Sequence, residues 1–110
     1  MLLLLVMKAL FICNQNKHRS KTAEEYFKKK FVTRSAGLHN QEPVQEKDLS
    51  WADVVFVMEE EQRQELAERF PKQYLQKRIL SLEIPDVYQY QQPELIQLLR
   101  RRMEEHKPLL

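Results

Sequence analysis

Val54-Val55-Phe56-Val57-Met58 contains no polar position. A strand with one wet face alternates apolar and polar residues, so a run like this must be covered on both sides. Its simplest host is a parallel sheet buried between layers of helices. Three more runs have strand character: Ala9 to Ile12, Phe31 to Ala36 stopped at Gly37, and Arg78 to Leu82. Helical stripes separate them. Ser20 or Lys21 opens the first, with Ala23, Tyr26, Phe27 and Phe31 as its apolar face. Glu24 and Glu25 fall early in it and Lys28 to Lys30 late, the order that suits a helix dipole. The spacing predicts a second helix over Glu59 to Phe70, with Leu66, Ala67 and Phe70 inward and Pro71 as its stop. A last helix opens at Pro93 and runs through Leu95, Ile96, Leu99 and Met103, proline being well suited to a first turn. Leu38 to Lys47 reads as loop, Asp48 or Ser50 as the cap of a short turn carrying Trp51, and Ile84 to Gln92 as loop. The expected architecture is α/β: three layers, a four-stranded parallel sheet flanked by helices, one domain over 1–110.

Composition narrows the function. With 43% hydrophobic and 31% charged residues the chain is neither disordered nor membrane-spanning. Eighteen basic against 16 acidic residues give +2, too little excess to point to nucleic acid. One cysteine excludes an internal disulfide, a multi-cysteine metal site and any mechanism needing two thiols in one chain. The apolar start is interrupted at Lys8 and is followed by no small-residue cleavage site, so neither export nor a membrane span is expected. Met7-Lys8 reads as an alternative start, with residues 1–6 an extension and residues 2–6 an apolar contact patch. An unpaired cysteine without an export signal places the chain in a reducing cytoplasm.

That cysteine closes the first strand, and the segment reads Cys13-Asn14-Gln15-Asn16-Lys17-His18-Arg19-Ser20 before a helix. A loop of this length can turn its backbone N–H groups inward as an anion nest, and the helix that follows adds its own free N–H groups and dipole. Arginine at the loop's end can grip a phosphate with two parallel hydrogen bonds. A cysteine at the floor lies in positive potential, which favours a thiolate nucleophile. Ser20 can hydrogen-bond the sulfur. The chain has three aspartates, Asp48, Asp53 and Asp86. Only Asp86 falls in a loop expected beyond the carboxyl ends of the strands, where such sheets bind ligands, and there it can serve as general acid.

These motifs, in this order, resemble the low-molecular-weight protein tyrosine phosphatase family, in its short bacterial branch. The resemblance rests on Cys13, Asn16 and Arg19-Ser20, then Thr22-Ala23-Glu24, Ser35-Ala36-Gly37, Ala52 to Met58, Phe70-Pro71 and Ile84-Pro85-Asp86. It implies a phosphotyrosine phosphatase I-like fold, no cofactor and no metal. It implies Cys13 as nucleophile forming a phosphocysteine, Arg19 as phosphoryl binder, Asn16 in a left-handed loop position, Ser20 stabilising the thiolate, Ser35 bonded to the loop and Asp86 protonating the leaving oxygen. Asn14, Gln15, Lys17 and His18 complete the phosphate loop. The chain departs from the family pattern at Gln15, usually glycine, at His18, often a second cysteine, and at Val87, usually proline. The stretch from Gly37 to Trp51 is also short.

Trp51 is expected as core or cleft wall, and Tyr88 and Tyr90 as cleft wall, the tyrosines either stacking on an aromatic phosphoester or packing at its rim. His18 either tunes the loop's charge or is incidental. Lys28 to Lys30 and Arg100 to Arg102 read as solvated helix faces. The expected substrate is a phosphorylated protein or small aryl phosphate. Two alternatives stay open: an arsenate reductase that borrows an external thiol, and a phosphate- or phosphopeptide-binding module without turnover.

Overall fold

Four short strands, β1 (Lys8–Cys13), β2 (Val32–Gly37), β3 (Val54–Val57) and β4 (Arg78–Ser81), form one sheet in the order β2-β1-β3-β4. Every neighbouring pair is parallel. The computed structural model describes residues 7–109; the apolar run at 1–6 and the contact patch expected from it lie outside the described residues. The helices are α1 (Arg19–Phe27), α2 (Glu46–Trp51), α3 (Glu60–Arg69), α4 (Pro71–Gln76) and α5 (Pro93–His106).

The apolar strands do what their lack of polar positions requires. Side chains alternate across a strand, so Ala9, Phe11 and Cys13 of β1 share a face with Val54, Phe56 and Met58. There they meet Ala23 and Phe27 of α1 and Leu95, Leu99 and Met103 of α5. Leu10, Ile12, Val55 and Val57 point the other way, against Leu49 of α2 and Leu66 of α3. The result is the expected three layers with two cores. The first centres on three near-parallel rings: Phe11 stacks on Phe27 at 5.6 Å and on Phe56 at 5.3 Å between centroids.

Two local readings change. Pro71 does more than stop α3; it stands at the first position of α4, after a break at Phe70 (φ −134°, ψ 62°). A proline lacks the N–H that a first helical residue does not use, so one residue can stop one helix and start the next. The second change is at α2, which begins before Asp48. Gln45 caps it, and the Asp48 carboxylate accepts the Gln45 backbone N–H at 2.8 Å as the far side of a capping box.

Backbone pairing continues past the strand ends on one edge. Leu38 N–H donates to Cys13 O and His39 N–H to Asn14 O, while Leu82 and Ile84 N–H donate to Val57 O and Met58 O. The segments after β1, β2 and β4 are thus tied to one edge. Gly37, the chain's only glycine, stands where they crowd. A Cβ there would lie 2.9 Å from the Asn14 carbonyl oxygen and 2.8 Å from the Asn40 side chain. Gly37→Ala is expected to cost about 1–3 kcal/mol, measured by urea unfolding, and to displace the backbone of Asn14.

Candidate active site

At that edge Cys13, Gln15, Lys17, His18, Arg19 and Asp86 line a cavity of about 190 Å³. Cys13 comes from the last position of β1 and is buried. Asn16 turns the loop in a left-handed conformation, φ 53°, which Asn tolerates better than most residues. Among the described residues the backbone N–H groups of Gln15 to His18 are spent on no other backbone carbonyl. Together with the start of α1 they leave an anion-binding concavity above the sulfur.

Ser20 lies beneath the loop, fully buried. Its Oγ is 3.0 Å from Cys13 Sγ and donates to Asn16 Oδ1 at 2.7 Å. A hydroxyl carries one proton. While Ser20 donates to Asn16 it accepts from a thiol; to support a thiolate it must turn its proton to the sulfur. Ser20 therefore joins the loop's shape to the state of the sulfur.

Arg19 is 2% exposed, and part of its guanidinium is engaged without any ligand. Nη1 donates to the Ile84 carbonyl at 2.7 Å and lies 3.3 Å from Glu59 Oε1. Nε lies 3.7 Å from Asp86 Oδ1, which is 65% exposed on the cavity's outer side. A cation at a helix N-terminus opposes the dipole, and the sequence alone pointed to a bound anion as its compensation. The structure supplies carboxylates of the chain's own.

Glu59 was not foreseen, nor was the residue that fixes it. Gln62 is 2% exposed. Its Oε1 accepts the backbone N–H of Met58 and of Glu59, at 2.8 and 3.0 Å. Its Nε2 donates to Asn14 Oδ1 at 3.2 Å and to Glu59 Oε1 at 3.3 Å. The signal was available, because β3 also has a carboxyl end and the residues after it must open on the same edge as the other loops.

The remaining expected residues fall differently. Ser35 does not bond the loop; it faces α1 and its Oγ donates to Glu24 Oε1 at 2.5 Å. Trp51 takes the core alternative and not the cleft wall, packing half-buried against the α2/α3 core. It lies at the opposite end of the sheet beside the start of β1, with Arg34 4.2 Å and Lys8 5.8 Å from its ring centroid. Tyr88 packs on the α1/α5 core, and Tyr90 is exposed; neither lines the cavity. The loop bearing Asp86 is anchored by its backbone. Tyr90 N–H donates to His18 Nδ1 at 3.1 Å and Gln91 N–H to Thr22 Oγ1 at 2.8 Å. His18 is thus a tether between the two loops, and its proton belongs on Nε2. The Asp86 segment sits between two left-handed residues, Glu83 (φ 56°) and Gln91 (φ 59°). Of the other aspartates, Asp53 accepts the Lys8 N–H and Asp48 caps α2, both away from the cavity.

No protein-family model and no curated protein matches the chain, but solved structures do. Wzb of Vibrio vulnificus, solved with benzylphosphonate, is 17% identical, with a TM-score of 0.75 over 94% of this chain and 99% of that one. The tyrosine phosphatase AmsI of Erwinia amylovora is 16% identical, at 0.75 over 96% and 93%. The YwlE arginine phosphatase of Geobacillus stearothermophilus is 18% identical, at 0.71 over 93% and 94%. The chain has the fold of these phosphatases. At such identities the likeness speaks for the fold alone, and the site must be argued from its own geometry.

The tether generates a prediction. His18→Ala should speed hydrogen exchange of the Tyr90 amide by about fivefold to tenfold, as loss of one hydrogen bond does. Thr22→Val should do the same at Gln91. The Ile84 amide, held by Met58, should not change.

Proposed function

We propose that this chain is a cysteine-dependent phosphomonoester hydrolase of the low-molecular-weight protein tyrosine phosphatase type, acting on phosphotyrosine or a similar aryl phosphate. The observation that carries this reading is the meeting of Cys13, Arg19 and Asp86 at one cavity, from segments that are far apart in sequence. A nucleophile, a phosphoryl-binding cation and a proton donor on the outer side are what a two-step transfer requires.

The steps follow from the positions. The phosphoryl oxygens occupy the loop, held by its backbone N–H groups and by Arg19. The Cys13 thiolate attacks phosphorus, the bond to the ester oxygen breaks, and protonated Asp86 gives its proton to that oxygen as it leaves. The Asp86 carboxylate then takes a proton from water. The water oxygen displaces sulfur from phosphorus, inorganic phosphate leaves and the thiolate returns. Glu59 and the Ile84 carbonyl hold Arg19 in place before substrate arrives, so little reorganisation is needed at the transition state.

An arginine phosphatase stands among the similar structures, but the cations Lys17 and Arg19 outnumber Asp86 around this cavity. A neutral aryl leaving group suits that lining better than a cationic guanidinium. Among the described residues no helix is long and apolar enough to cross a membrane. We place the protein in the cytoplasm, where its lone thiol stays reduced.

The test is metal-free hydrolysis of p-nitrophenyl phosphate at mildly acidic pH. Cys13→Ser should abolish turnover, and Asp86→Ala should lower kcat by about 10²- to 10⁴-fold. Arg19→Lys keeps the charge but loses the planar fork, and should weaken vanadate binding as well as turnover. Oxyanion binding without turnover in the wild type would leave a binding module; arsenate reduction with an added small thiol would leave a reductase.

A further inference from the structure

Two basic runs, about seventy residues apart in the sequence, meet in space. Lys29 and Lys30 follow α1, Arg100 and Arg101 lie midway along α5, and all four border one groove between these helices. Its cavity is about 590 Å³, and Tyr26 forms part of its wall. The only carboxylate in the lining, Glu104, lies 3.8 Å from Lys107 outside it. Lys29 Nζ sits 3.9 Å from the Tyr26 ring centroid. Lys30, Arg100 and Arg101 have no carboxylate within ion-pair distance among the described residues. Lysines at the end of α1 complement its dipole, but that does not account for arginines in the middle of α5. Like charges gathered around a concavity repel unless an anion comes between them.

The groove and the site lie at the two ends of α1, the site at Arg19 and the groove just past Phe27. A second hollow, lined by Thr22, Tyr26, Lys29 and Gln91 among others, adjoins it through Tyr26 and Lys29. Thr22 and Gln91 are the residues that hydrogen-bond beside the His18–Tyr90 tether. The path from the phosphate loop to the cations therefore runs along α1.

We propose that this α1/α5 groove docks an acidic segment of the phosphorylated protein substrate. The inference rests on the phosphatase reading and adds a substrate class to it. Lys29 lies two residues past the end of α1, about 15 Å from Arg19 at helical rise. An extended peptide covers that in about five residues. The preferred substrate carries two or three Asp or Glu starting about five residues from its phosphorylated residue. A polypeptide fits better than nucleic acid or a lipid surface, because the cations line a concavity at the end of the helix that starts at the active site and not a broad convex face.

The experiment uses phosphotyrosine peptides with three Glu starting five residues before or after the phosphotyrosine, each with a Gln counterpart. One Glu peptide should show a KM about tenfold below its counterpart at similar kcat, with the advantage shrinking as salt is raised. In R100Q/R101Q that advantage should fall below about twofold while p-nitrophenyl phosphate hydrolysis is unchanged. Equal KM values for Glu and Gln peptides in the wild type, or an advantage retained in the variant, overturn the proposal. If p-nitrophenyl phosphate is not hydrolysed, the phosphatase reading has failed and the groove is decided by binding instead. A fluorescein-labelled, unphosphorylated Glu peptide should then bind the wild type and not the variant, by anisotropy. No binding, or tighter binding of a single-stranded oligonucleotide or of phosphatidylserine vesicles that depends on the same arginines, overturns it.

Discussion

A guanidinium that is almost wholly out of water must be paired on more than one side, and Arg19 organises the molecule around that requirement. Its partners come from the segment after β3, through Glu59, and from the segment after β4, through the Ile84 carbonyl. Arg19 itself opens α1, directly after the cysteine loop. One side chain therefore fixes three strand-end segments relative to each other. Removing it would leave Glu59 partly buried beside an empty place. Gln62 extends the same network to Asn14 on the far side of the loop. The cavity is held in shape by groups that do not line it.

The fold was legible because its strongest signal was also its strongest constraint: strands with no polar face require two covering layers. The four strands, their parallel pairing and the long helices followed from that. The cavity residues Cys13, Arg19 and Asp86 were legible because a strand–loop–helix setting and one aspartate on the right edge left few alternatives. What failed was orientation. Trp51 is apolar and near the shortened segment, but nothing in its identity tells which end of the sheet it occupies. Ser35 stands in register with Phe11, so strand alternation turns it toward α1, where Glu24 accepts its hydroxyl hydrogen bond. Pro71 carries the same local meaning at the end of one helix and the start of another. Glu59 and Gln62 escaped notice because their roles depend on a partner some forty residues upstream.

The two basic runs show the same limit from the other side. Each alone is an ordinary solvated helix face. Only the packing of α1 on α5 turns them into a single feature, and only the position of α1 relative to the phosphate loop gives it a direction. A site can thus be distributed over helices whose separate sequences carry no motif at all.

Asn16, Glu83 and Gln91 hold left-handed backbone conformations without being glycine, in a chain whose one glycine lies elsewhere. Each carries a strain of about 1–2 kcal/mol that glycine would relieve, smallest at Asn16. Two of the three bracket the Asp86 segment. Such pivots resist being straightened and resist being moved, so the segment behaves as a stiff clasp with loaded ends. Glycine at either end would release that strain and, with it, the stiffness of the segment.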